Sequence, residues 1–304
     1  DNYYTSGTSI ESGTLQIGSG GKSGWITGDV ANNGTLAFNR SDAFDFAGKI
    51  SGTGGFQQKG EGAVILTGDS SYKGATDVLA GRLAVNGSIS SSILTTVYEG
   101  AELGGNGTVG QTFVDGGTLA PGNSIGTLNV AGDLQLTASS TYRVEVSPTN
   151  SDKVNVSGKA DLGGATVHAM FDPGAYIMKR YNILSADGGF SGTTFGEEVT
   201  TDLPENFASL LRYDANNVYL DLEMSIGGLN VNQQNVSTAL VNYFDENGQI
   251  PVAFGALDAD GLSAVSGELA TAAQQTTVDA MSQFMNTLAD PLVTGRAGRI
   301  TTSQ

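Results

Sequence analysis

The segment LAPGNSIGTLNV, at 119–130, holds the residues of this sequence whose types and spacing most resemble a catalytic motif. Gly122, Ser124 and Gly126 match G-x-S-x-G, the sharp turn that carries the nucleophilic serine of many hydrolases. Such a serine works only when a strand leads into the turn and a helix leaves it. The residues that follow, GTLNVAGDLQL, have the alternation of strands and no helical period, so the sequence predicts a turn between strands.

A catalytic triad would also need a histidine, and the sequence contains one, His168. Glu145, Asp152 and Asp161 lie between Ser124 and His168 and could supply the acid. The histidine stands within ATVHAMF, an alternating segment typical of a strand. We therefore predict that His168 is an ordinary strand residue and that Ser124 is not a nucleophile.

Two further patterns resemble functional sites without their context. GGNGTVG at 104–110 fits the dinucleotide fingerprint G-x-G-x-x-G, but it leads into another strand instead of the helix that would face a pyrophosphate. The carboxylate pairs Glu197–Glu198 and Asp258/Asp260 lack nearby aromatic and basic partners that would separate their pKa values. We predict no catalytic, cofactor-binding or metal-binding residue in this chain.

Composition and charge narrow the class of protein. Among 304 residues there are 44 Gly, 6 Pro and no Cys, so turns are frequent and disulfides and zinc-thiolate sites are excluded. The net charge is −17, with 14 basic and 31 acidic residues, which opposes nucleic-acid binding and adhesion to anionic membranes. No apolar stretch is long enough for a transmembrane helix, and the first residues are typical of a mature or excised start.

The first 225 residues repeat a short alternating run and a Gly turn at intervals near twenty. Leu15 to Leu36 and Leu83 to Leu103 follow this interval, whereas Leu66 to Leu83 is shorter. Strand–turn–strand repetition without helices predicts an all-β fold, a right-handed parallel β-helix of about nine to eleven rungs. A β-sandwich is the main alternative, because short strands and tight turns serve both folds.

Residues 226–304 change to helical spacing. Asn232 is the predicted N-cap of a first helix, Asn247–Gly248 its end, and Tyr243 part of its apolar stripe. The predicted apolar face of this C-terminal α-helical segment consists of Val236, Leu240, Phe244, Leu269, Ala273, Phe284 and Leu288.

Several of these segments together resemble a known family, the passenger regions of bacterial autotransporters (type V secretion). GTGGFQQKGEGAVILTGDSSYKGATDVLAGRLAVNGSI, at 53–89, resembles the passenger-associated repeat in its order L-T-G-x-x-x-Y-x-G-x-T followed by G-x-L. LGGNGTVG and GGTLAPGNSIGTLNVAGD resemble the start of the autochaperone region, and the segments after Leu229 resemble the linker helix that precedes the translocator barrel. The resemblance covers roughly residues 50–295.

The resemblance implies three parts: stem rungs at 1–100, an autochaperone and capping end at 101–225, and a helical linker at 226–304. It implies a protein exported through the periplasm to the Gram-negative cell surface or the extracellular space. Its implied partners are its own C-terminal outer-membrane β-barrel, beyond Gln304, and the barrel-assembly machinery. No cofactor is implied.

Three functions remain open from the sequence. The favoured one is a non-catalytic stem and autochaperone that supports translocation, folding and display of an N-terminal head. The second is an adhesin or self-associating surface protein, with the host-cell surface or other copies as partners. The third is the stem of a secreted subtilisin-like protease or other hydrolase. The predicted folding nucleus of the autochaperone consists of Leu119, Leu128, Leu134, Tyr142, Val144, Val154, Val156, Tyr181, Ile183, Leu184, Tyr219 and Leu220.

Overall fold

A computed structural model describes residues 7–172, 174, 176–197, 199–266 and 279–283. Over most of these residues the chain winds into a coil of short strands, and each strand from β1 to β22 pairs in parallel with a strand of an adjacent turn. The predicted parallel β-helix is therefore confirmed. A β-sandwich is excluded, because the stem pairs through parallel registers and a sandwich needs antiparallel sheets.

The stem strands in chain order are β1 Thr8–Ile10, β2 Thr14–Ile17, β3 Val30–Asn32, β4 Thr35–Phe38, β5 Phe44–Phe46, β6 Ile50–Ser51, β7 Gly55–Gln58, β8 Ala63–Leu66, β9 Thr76–Val78, β10 Arg82–Val85, β11 Ser88–Ile89, β12 Thr95–Tyr98, β13 Glu102–Gly105, β14 Thr108–Val109, β15 Thr112–Asp115, β16 Thr118–Pro121, β17 Thr127–Val130, β18 Leu134–Leu136, β19 Thr141–Val146, β20 Lys153–Val156, β21 Ala160–Asp161 and β22 Thr166–Phe171. The remaining elements are β23 Tyr176–Met178, β24 Arg180–Ala186, β25 Val199–Thr201, β26 Phe207–Tyr213, β27 Asn217–Met224, α1 Val231–Asn247, β28 Gln249–Pro251, α2 Val252–Gly255 and α3 Ala259–Ser266.

Three long sheets run along the coil, one on each face. Sheet I has the order β2-β4-β7-β9-β12-β15-β18-β21, and sheet II has the order β25-β22-β19-β16-β13-β10-β8-β5. Sheet III has the order β11-β14-β17-β20-β24-β27-β26, and a short sheet, β1-β3-β6, precedes it. A further two-stranded sheet joins β23 to β28.

The registers explain why the spacing near twenty was visible in the sequence. Leu15 pairs with Leu36, and Leu83 with Leu103, as predicted. The shorter interval, from Leu66 to Leu83, joined two residues that are not partners, because Leu66 pairs with Val85. Side chains alternate across a strand, so a consistent register stacks the same inward position of successive rungs.

The inward positions of the rungs form one continuous core. On sheet I the ladder Leu36, Phe56, Thr76 and Thr95 is fully buried, and its neighbours two residues on are apolar or amide. Stacked parallel strands lie about 4.8 Å apart, so each side chain contacts its equivalent above and below. Most of the free energy of folding therefore comes from contacts between adjacent rungs.

The coil has about nine rungs among the described residues, at the lower end of the predicted nine to eleven. Sheets I and II each contain eight strands, but sheet I begins one turn earlier, at β2, and sheet II ends one turn later, at β25. Late turns are longer than the estimate assumed, since Leu134 pairs with Ala160. The chain from Arg180 to Met224 also adds few rungs, because β24, β27 and β26 pair antiparallel and close the end of the coil.

Helix α1 packs against this closed end and begins two residues earlier than predicted. Asn230, not Asn232, is the N-cap: its side chain accepts the N–H of Gln233 at 2.9 Å, and the Gln233 side chain accepts the N–H of Asn230 at 2.9 Å. This reciprocal pair is a capping box, and a helix starting at Asn232 would have Asn235 in place of the required Gln or Glu. The predicted end is confirmed, since Gly248 is left-handed with φ 68°.

Candidate functional site

The residues that define the repeat meet in a buried hydroxyl network. The hydroxyl of Tyr72 lies 2.6 Å from Oγ1 of Thr76, which lies 2.9 Å from Oγ of Ser92. Ser92 reaches the carbonyl oxygen of Gly74 at 2.9 Å. Burial raises the pKa of the Tyr72 phenol, so it stays neutral. Ser92 precedes β12, one rung beyond Thr76, and the network therefore fastens adjacent turns of the coil.

Two positions of the same repeat require glycine because adjacent rungs approach closely there. A Cβ at Gly74 would lie 2.3 Å from the carbonyl oxygen of Gly54. A Cβ at Gly68 would lie 2.6 Å from the carbonyl oxygen of Gly48. Real Cβ atoms do not approach backbone oxygens so closely, so both positions need the absence of a side chain.

Ser124 lies exposed in the turn between β16 and β17. The turn is fixed by its neighbours: Gly122 exchanges both backbone hydrogen bonds with Gly105, and the N–H of Gly126 donates to Oδ1 of Asp152 at 2.8 Å. A strand follows the turn, as predicted, where a nucleophile elbow has a helix.

His168 lies in β22, where it pairs in register with Arg143 on one side and Thr200 on the other. This confirms its prediction as a strand residue. β22 is two strands from β16 in sheet II, and two strand spacings are about 10 Å. The fold therefore does not bring His168 to Ser124.

Asp152 is the acid nearest the turn, and it acts on the backbone. Its side chain is 1% exposed, and its Oδ2 accepts the N–H of Glu145 at 2.8 Å while Oδ1 holds Gly126. Burial raises the pKa of Asp152 to about 7, against the two backbone hydrogen bonds, which lower it. Desolvation is the larger effect because the carboxyl is almost fully removed from water.

A short ionic ladder holds the outside of the same region. Glu102 pairs with Nη1 of Arg82 at 3.3 Å and with Nη1 of Arg143 at 2.8 Å. Nη2 of Arg82 also donates to the carbonyl oxygen of Gly122 at 2.7 Å. The sequence did not indicate that Arg82 and Asp152 hold the backbone at Gly122 and Gly126, since each side chain is far in sequence from the residue that it contacts.

The other two candidate motifs are structural where the chain is described. GGNGTVG runs from the end of β13 through β14, with no helix after it. Asp258 caps α3, since its Oδ1 accepts the N–H of Gly261 at 2.8 Å. Glu197 and Asp260 are exposed, and Glu198 lies outside the described residues. Among the described residues no group of three or more His, Asp or Glu side chains is arranged to hold a metal ion.

The predicted nucleus residues lie in the last rungs and the antiparallel cap, and their role in folding remains a prediction. All except Tyr219 are buried. The hydroxyl of Tyr142 donates to the carbonyl oxygen of Ile183, and its ring stacks on Phe195 at 5.4 Å. Tyr219 is the exception: it points outward, where Arg180 lies 4.9 Å from its ring centroid.

The predicted helix face can be compared with the structure in α1 alone. Phe244 is fully buried, and Val236 and Leu240 are half-buried against the core. Tyr243 does not belong to this face, since it is 48% exposed. Leu269, Ala273, Phe284 and Leu288 lie outside the described residues. No helix in the described part is long and apolar enough to cross a membrane.

Comparison with known proteins supports the repeat directly. The family model described as the passenger-associated-transport-repeat matches residues 1–17 and 56–85. The second match contains Tyr72, Gly74 and Thr76, the residues of the hydroxyl network and of the close rung contact.

Several curated proteins are similar to part of the chain. An extracellular serine protease of Serratia marcescens is 32% identical over 182 residues, 54% of this chain and 17% of that protein. The Adhesin BmaC autotransporter of Brucella suis biovar 1 is 40% identical over 193 residues, 58% of this chain and 5% of that protein. The chain thus spans a small part of the relatives it matches. The repeat and these relatives identify the chain as related to the passenger regions of autotransporters.

Proposed function

We propose that this chain is a non-catalytic stem and autochaperone that supports the translocation, folding and display of a segment N-terminal to it. The observation that carries the proposal is the network of Tyr72, Thr76 and Ser92, where the side chains that mark the repeat are used to join rungs. Their hydroxyls bond one another inside the core and are not offered to a substrate.

The chain divides by role into stem rungs at 1–100, an autochaperone at 101–225 and a linker at 226–304. The antiparallel strands β24, β27 and β26 support the second part, because they cover the end of the coil with a sheet that pairs within itself. An otherwise open edge of parallel strands would template further pairing. A finished end can nucleate rungs that are added one at a time.

The proposed location is the cell surface or the extracellular space of a Gram-negative bacterium, reached through the periplasm. The proposed partners are the chain's own outer-membrane β-barrel and the barrel-assembly machinery. The net charge of −17 opposes nucleic acid as a partner.

The test is surface display of a fusion with an N-terminal epitope tag, the chain and an autotransporter barrel. Deleting 101–225 should lower the tag signal on intact cells at least tenfold, because the nucleus and the capped end are lost. The matched control deletes 36–55: Leu36 pairs with Phe56, so this removes one whole turn, keeps the register and leaves the network of Tyr72, Thr76 and Ser92 in place. The control should stay within about twofold. Equal display by both deletions would refute the autochaperone role.

A second candidate function is that of an adhesin or a self-associating surface protein. The adhesin relative favours it, together with a line of outward polar side chains on sheet III in which Asn155 donates to Asn129 at 3.2 Å. Cell clumping that depends on these asparagines would support it. The third candidate, the stem of a secreted hydrolase, is favoured by the extracellular serine protease relative. In that case a fluorophosphonate probe should label another part of the full protein, and labelling of Ser124, abolished in Ser124→Ala, would refute the non-catalytic proposal.

A further inference from the structure

A groove lies on the outer face of sheet I near the last rungs, apart from every motif considered above. It encloses about 290 Å³. Its floor consists of Phe113, Gln135 and Asp161, which pair in register on three successive strands. Stacked strands repeat every 4.8 Å or so, so the groove offers an aromatic ring, an amide and a carboxyl in one line.

One side of the groove is polar, and Leu94 also contributes to the lining. Gln111, Asp133 and Lys159 directly precede strands of the same rungs and line one side. The backbone carries them in step, since the carbonyl oxygens of Asp133 and Lys159 accept the N–H groups of Thr112 and Leu134. These three residues thus repeat the line of the floor two positions earlier along each rung.

Ser191 closes the groove at one end, and its backbone is unusual. Among the described residues it is the non-glycine residue with positive φ, at 55°. An L-residue in this region costs about 1–2 kcal/mol relative to a right-handed conformation. The surrounding loop is anchored to the last rung, because the N–H of Ala160 donates to Gly189 and that of Leu162 to Oγ1 of Thr193. Such strain is retained mostly where it shapes a site.

The side chains in the groove have hydrogen-bonding capacity to spare. Within the described part of the chain, the amides of Gln111 and Gln135 and the ammonium of Lys159 make no hydrogen bond or ion pair. Asp133 and Asp161 each use Oδ1 on a backbone N–H, of Lys159 and Gly163 respectively. Each carboxylate has further acceptor capacity.

We propose that this groove binds a neutral saccharide. A sugar ring presents an apolar face of C–H groups that suits the Phe113 ring, and hydroxyls that both donate and accept. Amides offer both functions and carboxylates accept, which matches a hydroxyl-rich ligand. Two carboxylates against one lysine disfavour an anionic ligand, and the volume is close to the lower limit of about 300 Å³ for small-molecule sites. The inference does not rest on the proposed stem function.

The test is an array of neutral hexose and N-acetylhexosamine oligosaccharides, with sulfated glycans alongside, probed with the whole chain. We expect neutral glycans to be retained. Calorimetry with the retained glycan should then give a dissociation constant at least tenfold larger for Phe113→Ala and for Gln135→Ala than for the unaltered chain. Tyr98→Ala and Gln57→Ala are matched controls, an aromatic and an outward glutamine on sheet I outside the groove. They should bind within twofold of the unaltered chain.

Three outcomes would overturn the proposal: no neutral glycan is retained, only sulfated glycans are retained, or binding survives both groove substitutions. Urea unfolding of each variant checks that the fold is kept. If Phe113→Ala does not fold, Phe113→Leu keeps apolar volume without the ring and should show the same loss. Display of the fusion can remain normal in all of these cases, so failure here is distinguishable from failure of the stem function.

Discussion

Oδ1 of Asp152 lies 2.8 Å from the backbone nitrogen of Gly126, and this contact fastens the turn that spells the hydrolase motif. Oδ2 of the same carboxyl accepts the N–H of Glu145 at 2.8 Å. One buried side chain thus joins the turn after β16 to the end of β19. The acid that a triad would use to orient histidine is used here to hold backbone.

The buried position of Asp152 predicts a pH-dependent stability. Its pKa is about 7 in the folded chain and near 3.8 when unfolded. The folded state therefore binds more protons between these values, and the free energy of unfolding should fall as pH rises from about 4 to 7, then level off. Between pH 5 and 7 we expect this group to contribute a loss of about 1–2 kcal/mol.

Urea unfolding of the wild type and Asp152→Asn at pH 5, 6, 7 and 8 measures this contribution. The amide cannot titrate, so the stability gap between wild type and variant should narrow as pH rises. Asp115→Asn, at an exposed carboxyl at the end of β15, should leave the wild-type slope unchanged. A gap for Asp152→Asn that is constant with pH would contradict the raised pKa.

Adjacent rungs approach so closely at Gly74 that any side chain at this position is expected to destabilise the fold. In Gly74→Ala the new Cβ would meet the carbonyl oxygen and carbon of Gly54 at 2.3 and 2.4 Å. Backbone cannot yield as a side chain can, so the two rungs must separate. We expect a loss of about 1–3 kcal/mol in the free energy of unfolding.

Gly21→Ala is the matched control for this substitution. A Cβ at Gly21 has no atom within 4 Å, so the change should alter stability by less than about 0.5 kcal/mol. Thermal unfolding followed by circular dichroism compares the two variants. Equal midpoints would show that the rungs are not packed as closely as the structure places them.

The sequence predicted what repeats along the chain and missed what joins distant positions. The parallel β-helix was predicted from the alternation of Leu83 and Val85 and from the interval between Leu15 and Leu36. This was possible because each rung repeats the same spacing of apolar residues in the sequence. The length of the late turns and the antiparallel end were missed, since no local pattern separates a returning strand from a further rung. The roles of Asp152 and Arg82 were invisible for the same reason.

The N-cap of α1 is expected to make a moderate contribution to the free energy of unfolding. Asn230→Ala removes the acceptor of the Gln233 N–H and should lower the free energy of unfolding by about 1 kcal/mol. Asn232→Ala, at an exposed position in the first turn, is the matched control and should have little effect. If urea unfolding shows the reverse order, the helix begins where the sequence alone placed it.

The hydroxyl network of the repeat gives the most specific prediction. Tyr72→Phe keeps the ring and removes the hydroxyl, while Thr76 keeps its contact with Ser92. We expect a loss of about 0.5–1.5 kcal/mol in the free energy of unfolding, the net contribution of one hydrogen bond. Tyr72→Ala also empties a fully buried site and should cost about 3–5 kcal/mol.

Tyr98→Phe is the control, because Tyr98 is 37% exposed on the same sheet and its hydroxyl can be solvated. Thr76→Val keeps the shape of the side chain and removes the oxygen that Tyr72 and Ser92 share. We expect the double variant Thr76→Val/Ser92→Ala to lose less free energy of unfolding than the sum of the two single losses, since both residues act through one network. Strict additivity of these two substitutions in urea unfolding would mean that the hydroxyls stabilise the rungs independently, and the repeat would then mark packing alone.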